Sequence, residues 1–194
     1  GPLIHNRNVV EDLEKKGIRV LERIEDVLPG DAVIIRSHGV GRSVYEELEK
    51  KQAVVIDATC PNVKRIHKLV EECRRNGLLV LIAGDKNHPE VEGILGYGDE
   101  NCFVFANCEE LATLLRKNYE IFKKGVAILS QTTYNIELWE ECIKTAQRYD
   151  NVKIYNAVCR GLPVLTPSSV PPAGRYTALR SPTGRESTCP DLLR

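Results

Sequence analysis

Residues 78–93 read Leu78-Leu79-Val80-Leu81-Ile82-Ala83-Gly84-Asp85-Lys86-Asn87-His88-Pro89-Glu90-Val91-Glu92-Gly93. The first six are an unbroken apolar run of strand length, far too short to span a bilayer. Such a run, without the alternation of a half-exposed strand, is expected where helices cover both faces of a sheet. A polar loop follows, and Pro89 then suits the first turn of a helix, with the helical pattern expected over 91–97. Strand, loop and helix in that order form the unit from which α/β folds are built.

The unit recurs along the chain. Strands are expected at 32–36, 53–57, 102–105, 126–130 and 152–155. Helices are expected at 9–16, 42–51, 63–76, 108–117 and 136–149. Val54-Val55-Ile56 and Val126-Ala127-Ile128-Leu129 repeat the continuous apolar character. The fold class is therefore α/β, with repeated modules and mostly parallel sheets. A coarse internal echo supports repetition. The strand ending Asp57-Ala58-Thr59-Cys60 and the strand leading to Asn156-Ala157-Val158-Cys159 each carry a cysteine at the end, about one domain length apart.

With 194 residues, 42% hydrophobic and 28% charged, the chain has the composition of a soluble globular protein of one large or two small domains. A formal net charge of +0 gives no reason to expect a nucleic-acid or anionic membrane surface. Seven cysteines without a Cys-x-x-Cys pair, and no visible signal peptide, point to a reducing cytoplasmic setting rather than a disulfide scaffold or zinc ribbon. The absence of methionine and a start at Gly1-Pro2 inside a motif-like segment suggest a missing N-terminal piece. From Arg160 onward lysine disappears, proline accumulates and hydrophobic periodicity vanishes. That segment is expected to be unstructured, either as a natural tail or, the favoured reading, because the reading frame shifted after Cys159.

The chemistry-bearing residues lie mainly in loops after strands. Ser37-His38-Gly39-Val40-Gly41 lets backbone approach a ligand and precedes a helix N-terminus, which favours an anion. The third glycine of a dinucleotide fingerprint is absent. His88 and Glu90 suit a phosphate-binding histidine beside a proton-donating carboxyl, or a helix start whose acids complement the dipole. Ser130-Gln131-Thr132-Thr133 suits a hydroxylated substrate, or the cap of a helix starting near Asn135. His5, His38 and His88 sit in turns, whereas His67 falls among Lys64, Arg65 and Lys68 and reads as a solvated helix residue. Cys60 and Cys159 could be thiolate ligands of an iron–sulfur cluster. Cys73, Cys102, Cys108 and Cys142 read as small buried hydrophobes, and Cys189 has no role.

Five segments, taken in order, resemble one family. They are Gly1-Pro2-Leu3-Ile4-His5-Asn6 with Val9-Val10, Arg36-Ser37-His38-Gly39-Val40, Asp57-Ala58-Thr59-Cys60-Pro61 with His67, His88-Pro89-Glu90-Val91-Glu92-Gly93, and Ser130-Gln131-Thr132-Thr133. Together they look like the motifs of the 4-hydroxy-3-methylbut-2-enyl diphosphate reductases, over residues 1–159. The resemblance implies three similar α/β domains around a central [4Fe-4S] cluster, of which about two are present here. It implies residues 1–61 as a first, incomplete domain, 62–157 as a second, and 158–194 as the start of a third replaced by the tail. Cys60 and Cys159 match metal ligands, His5, His38, His88 and Thr132 match substrate-binding residues, and Glu90 and Thr132 match catalytic ones.

The implied reaction is reductive dehydroxylation of the allylic diphosphate to isopentenyl and dimethylallyl diphosphate, the last step of the non-mevalonate isoprenoid pathway. The implied electron donor is ferredoxin or flavodoxin, with no nucleic-acid or membrane partner. Here the first cluster cysteine and the family's later Ala-Thr, Arg-Gln and Ser-Ser-Asn motifs are not found, so the polypeptide as given is expected to be nearly inactive. A metal-dependent phosphohydrolase using His38, His88 and Glu90, and a non-catalytic phosphate-binding α/β module, are the alternatives.

Overall fold

The computed structural model describes residues 7–118, 120 and 123–158, so His5 and Cys159 of the expected site, and the segment after Cys159, lie outside the described residues. Helix α1 spans Arg7–Lys15. A two-stranded parallel sheet follows, in which β1 (Ala32–Ile35) pairs with β2 (Val54–Asp57) through α2 (Arg42–Lys50). Helix α3 (Pro61–Arg75) leads into a second sheet. That sheet is built from β3 (Leu79–Ala83), β4 (Cys102–Phe105), β5 (Val126–Ser130) and β6 (Val152–Tyr155). Its order is β4-β3-β5-β6, parallel throughout. Helices α4 (Pro89–Leu95), α5 (Cys108–Lys117) and α6 (Ile136–Ala146) connect the strands.

The continuous apolar run of β3 has the expected cause. Successive side chains point to opposite faces of a strand. Leu79, Leu81 and Ala83 enter one core with Leu111, Leu115, Trp139 and Cys142 from α5 and α6. Val80 and Ile82 enter a second core with Ile66, Val70, Cys73 and Ile94 from α3 and α4. Burial on both faces leaves β3 and β5 fully enclosed, and it rewards the β-branched and leucine-rich composition of both strands.

The equivalent expectation fails for β2. Val54, Val55 and Ile56 are 59%, 36% and 51% exposed. Among the described residues β2 has only β1 as a neighbour, and the small core of Val27, Ile35 and Leu48 lies on the β1 and α2 side.

Helix starts also move relative to the sequence expectation, and the shift matters for the site. Proline at the first helical position extends α3 back to Pro61, ahead of the expected 63, and starts α4 at Pro89, the residue that suited a helix's first turn. Cys60 and His88 thereby become N-cap residues rather than loop residues.

Candidate active site

In the second sheet, β3 hands the chain outward to β4, while β5 lies on its other side. Connections that leave adjacent parallel strands in opposite directions open a crevice at their carboxyl ends, which is where α/β folds bind ligands. The segment after β3 carries His88 and Glu90, and the segment after β5 carries Gln131 and Thr132. The β3–β5 pairing runs in register to Ala83 and Ser130, and the Gln131 N–H extends it by donating to the Ala83 carbonyl at 2.9 Å.

Glu90 is 1% exposed and Thr132 is 9% exposed. The Thr132 backbone N–H donates to Glu90 Oε1 at 2.6 Å, and its hydroxyl donates to Glu90 Oε2 at 2.8 Å. Both carboxyl oxygens are thus held by one residue across 42 positions of sequence. His88 caps α4, its Nδ1 accepting the Glu90 N–H at 3.1 Å. That acceptor role leaves the ring proton on Nε2, from which it can be donated to a ligand oxygen.

Gln131 braces the crevice. Its Oε1 accepts the Asp85 N–H at 2.9 Å, and its Nε2 donates to Thr133 Oγ1 at 2.8 Å. A Cβ at Gly84 would stand 2.7 Å from Gln131 Oε1, so only glycine lets the amide cross there. Residues Gly84, Asp85, Ala106, Gln131, Thr133, Tyr134 and Asn135 line a cleft of about 220 Å³ beside it.

The first sheet brings His38 to the same place. Its ring meets the His88 ring edge-on, with centroids 5.4 Å apart and planes at 85°. Glycines make this approach possible. A Cβ on Gly96 would lie 2.5 Å from Gly41 Cα, so the backbone after β1 packs directly on the end of α4. Gly39 has φ +71, and a Cβ there would lie 2.7 Å from His67 Cε1.

His67 corrects the sequence expectation. It is 4% exposed rather than solvated, stacked on Tyr97 with centroids 4.3 Å apart, and on the buried α3 face with Val63, Ile66 and Val70. Burial drives its pKa down to about 4, against an opposing pull from Asp57. For Asp57 itself, burial would raise the carboxyl, but hydrogen bonds from Lys64 and Thr59 and the Lys64 charge bring it down to about 2.

Cys60 is half-buried with a free thiol at the α3 N-cap, and its N–H donates to the Ser37 carbonyl at 3.0 Å. That bond ties the cysteine to the loop carrying His38. Of the expected site residues, His38, His88, Glu90 and Thr132 converge directly, Cys60 adjoins them through Ser37, and His5 and Cys159 lie outside the described residues. Among the other cysteines read as buried hydrophobes, Cys73 and Cys142 are buried, whereas Cys102 and Cys108 are only partly so.

The family model described as LytB protein matches residues 1–162. The chain belongs to the LytB family. Similar curated relatives of this family are named 4-hydroxy-3-methylbut-2-enyl diphosphate reductase. The protein from Caldanaerobacter subterraneus subsp. tengcongensis is 41% identical over 162 residues, covering 82% of this chain and 54% of the relative. That from Clostridioides difficile is 32% identical over 160 residues, covering 82% and 56%.

Among solved structures, one of (E)-4-hydroxy-3-methyl-but-2-enyl diphosphate reductase superposes with a TM-score of 0.70 at 39% identity, covering 82% of this chain and 56% of that one. A reductase from Plasmodium falciparum gives a TM-score of 0.73 at 26% identity, covering 81% and 49%. The chain spans about half the length of the curated relatives it matches. The LytB match ends where the lysine-free, proline-rich segment begins. Among the described residues no helix is long and apolar enough to cross a membrane.

Proposed function

We propose that this chain carries the diphosphate-binding and proton-delivering part of a 4-hydroxy-3-methylbut-2-enyl diphosphate reductase. The observation that carries the reading is the convergence of His38, His88, Glu90 and Thr132 at the β3–β5 switch point. In this reading residues 1–61 and 62–157 are two α/β domains of the whole enzyme, and 158–194 stands at the start of a third.

His88 donates through Nε2 to a diphosphate oxygen, with His38 beside it and His5 as a third partner. Two neighbouring imidazoles meet two phosphate groups, donate hydrogen bonds to their anionic oxygens and fix the allylic carbon relative to Glu90. Glu90 donates a proton to the substrate hydroxyl, which then departs as water. The Thr132 hydroxyl, 2.8 Å from Glu90 Oε2, relays a proton from solvent back to that oxygen, taking one up as it gives one. The overall change consumes two electrons and two protons, breaking one C–O bond and forming one C–H bond and one water. Ferredoxin or flavodoxin supplies the electrons.

Cys60 fits a cluster ligand in two respects: its thiol is free, and it stands at a helix N-terminus, where an anionic ligand set is stabilised. Cys159 would be its companion. Among the described residues no group of three side chains could by itself hold a metal ion, so further ligands must come from elsewhere in the whole enzyme. An iron–sulfur cluster held there would provide the electron path and an iron to receive the hydroxyl.

Calorimetric titration of the chain with the allylic diphosphate tests the reading. We expect diphosphate-dependent binding that His88→Phe weakens at least tenfold and Glu90→Gln leaves nearly unchanged. Binding insensitive to His88→Phe would reject it. Release of inorganic phosphate in the presence of zinc or manganese would instead favour a phosphohydrolase.

A further inference from the structure

Cys108 and Cys142 stand with their sulfurs 3.1 Å apart, linking α5 to α6 across 34 residues of sequence. Both thiols are free. The separation is well beyond a disulfide bond of about 2.05 Å, yet close enough that a small side-chain rotation would join them. The two sulfurs differ in access. Cys108, the first residue of α5, is half-buried, whereas Cys142 is fully buried on the inner face of α6. The Cys108 thiol also points to Glu141 Oε2 at 3.9 Å, so a carboxylate stands where its proton would depart. The reductase reading gives neither cysteine a task.

We propose that Cys108 and Cys142 form an oxidisable dithiol that closes to an intrachain disulfide on exposure to a hydroperoxide. Cys108, as its thiolate, attacks the peroxide, the O–O bond breaks, and one water leaves with Cys108 as the sulfenic acid. The Cys142 sulfur then attacks the Cys108 sulfur, the S–O bond breaks and a second water leaves. Two thiols lose two electrons and two protons, and hydrogen peroxide becomes two waters. Cys142 is suited to resolve the sulfenic acid by its position, 3.1 Å from the Cys108 sulfur and closed off from solvent, while burial, followed by the neighbouring Cys108 thiol, pushes it up to about 12 and keeps it from being oxidised first.

Tyr134 packs against the apolar cluster that holds both sulfurs, and its hydroxyl donates to the Ala106 carbonyl at 2.7 Å. The Tyr134 N–H donates to the Gln131 carbonyl. A Cys108–Cys142 bond would therefore fasten the base of the loop that carries Thr132.

The test is to treat the purified 194-residue chain with stoichiometric hydrogen peroxide, block free thiols and map peptides under non-reducing conditions. We expect a Cys108–Cys142 linked peptide that disappears on reduction and is absent from Cys108→Ser. In Cys142→Ala, Cys108 should accumulate as a sulfenic acid trapped by dimedone. Cys108 driven to sulfinic acid while Cys142 stays alkylatable, or linkage scattered among Cys60, Cys73 and Cys102, would overturn the proposal. The readout is independent of substrate binding, so the reductase reading stands or falls separately.

Discussion

Thr132 holds both oxygens of the Glu90 carboxyl, one through its backbone N–H and the other through its hydroxyl. A carboxyl this buried would be costly without such partners. Removing the hydroxyl alone separates the two bonds. Thr132→Val should leave Oε2 unsatisfied and cost about 1–3 kcal/mol of folding stability. Thr132→Ser should recover most of it. Urea denaturation of the three proteins checks this, and equal midpoints for Val and Ser would contradict it.

Glu90 is the acid in the proposed reaction, so its loss should act on turnover rather than on affinity. In reconstituted enzyme carrying this sequence, Glu90→Gln should lower kcat by roughly 10²–10⁴-fold. KM should change little, because the proposed diphosphate contacts belong to the histidines. A variant that turned over at the parent rate would remove Glu90 from the mechanism.

The approach of His38 to His88 depends on backbone contact between the loop after β1 and the end of α4. Gly96 has an ordinary φ of −65, so alanine suits its own backbone and tests the contact alone. Its new Cβ would press on Gly41 Cα at 2.5 Å. Gly96→Ala should destabilise by about 1–3 kcal/mol and weaken diphosphate binding. Gly93→Ala meets its neighbours at an ordinary 3.5 Å and should be tolerated. Thermal midpoints and titration of both variants check the contrast.

The strands were legible because their apolar runs are local and their ends are marked by glycine, asparagine and aspartate. β4, β5 and β6 fall within the expected bounds. Membership of the family was legible from five ordered motifs, four of which lie wholly within the described residues. Other features were not. Nothing near Thr132 announces a partner 42 residues away, and locally its segment reads as a helix cap. Asn135, just beyond that segment, supplies the cap, accepting the Leu138 N–H. His67 misled because charged neighbours alternate with the buried face of α3, where it falls one position after Ile66 and three before Val70. The glycine pairing of 41 with 96 could have been suspected only from glycine spacing in two separate segments. The exposure of β2 reflects which strands are its neighbours, which composition does not encode.

The buried His67 sets a pH dependence whose sign is fixed by its shift. Its folded pKa of about 4 lies below the ordinary 6.5, so the unfolded chain takes up the proton first. Its contribution is complete above pH 6.5 and is lost as pH falls toward 4, by an amount on the order of 2 kcal/mol. Asp57, lowered to about 2 from 3.8, behaves alike in a more acid window, keeping its contribution above 3.8 and losing it as pH falls through 2. Between pH 6.5 and 4 the slope therefore belongs to His67 rather than to Asp57. His67→Gln should be less stable than the parent at pH 7, having lost the stacking on Tyr97, but should lose less further stability down to pH 4.5. Urea midpoints at pH 7, 5.5 and 4.5 measure both slopes. Parallel slopes would mean that His67 is protonated in the folded chain at mild acid, and that the pocket against Gly39 and Tyr97 admits the charged ring.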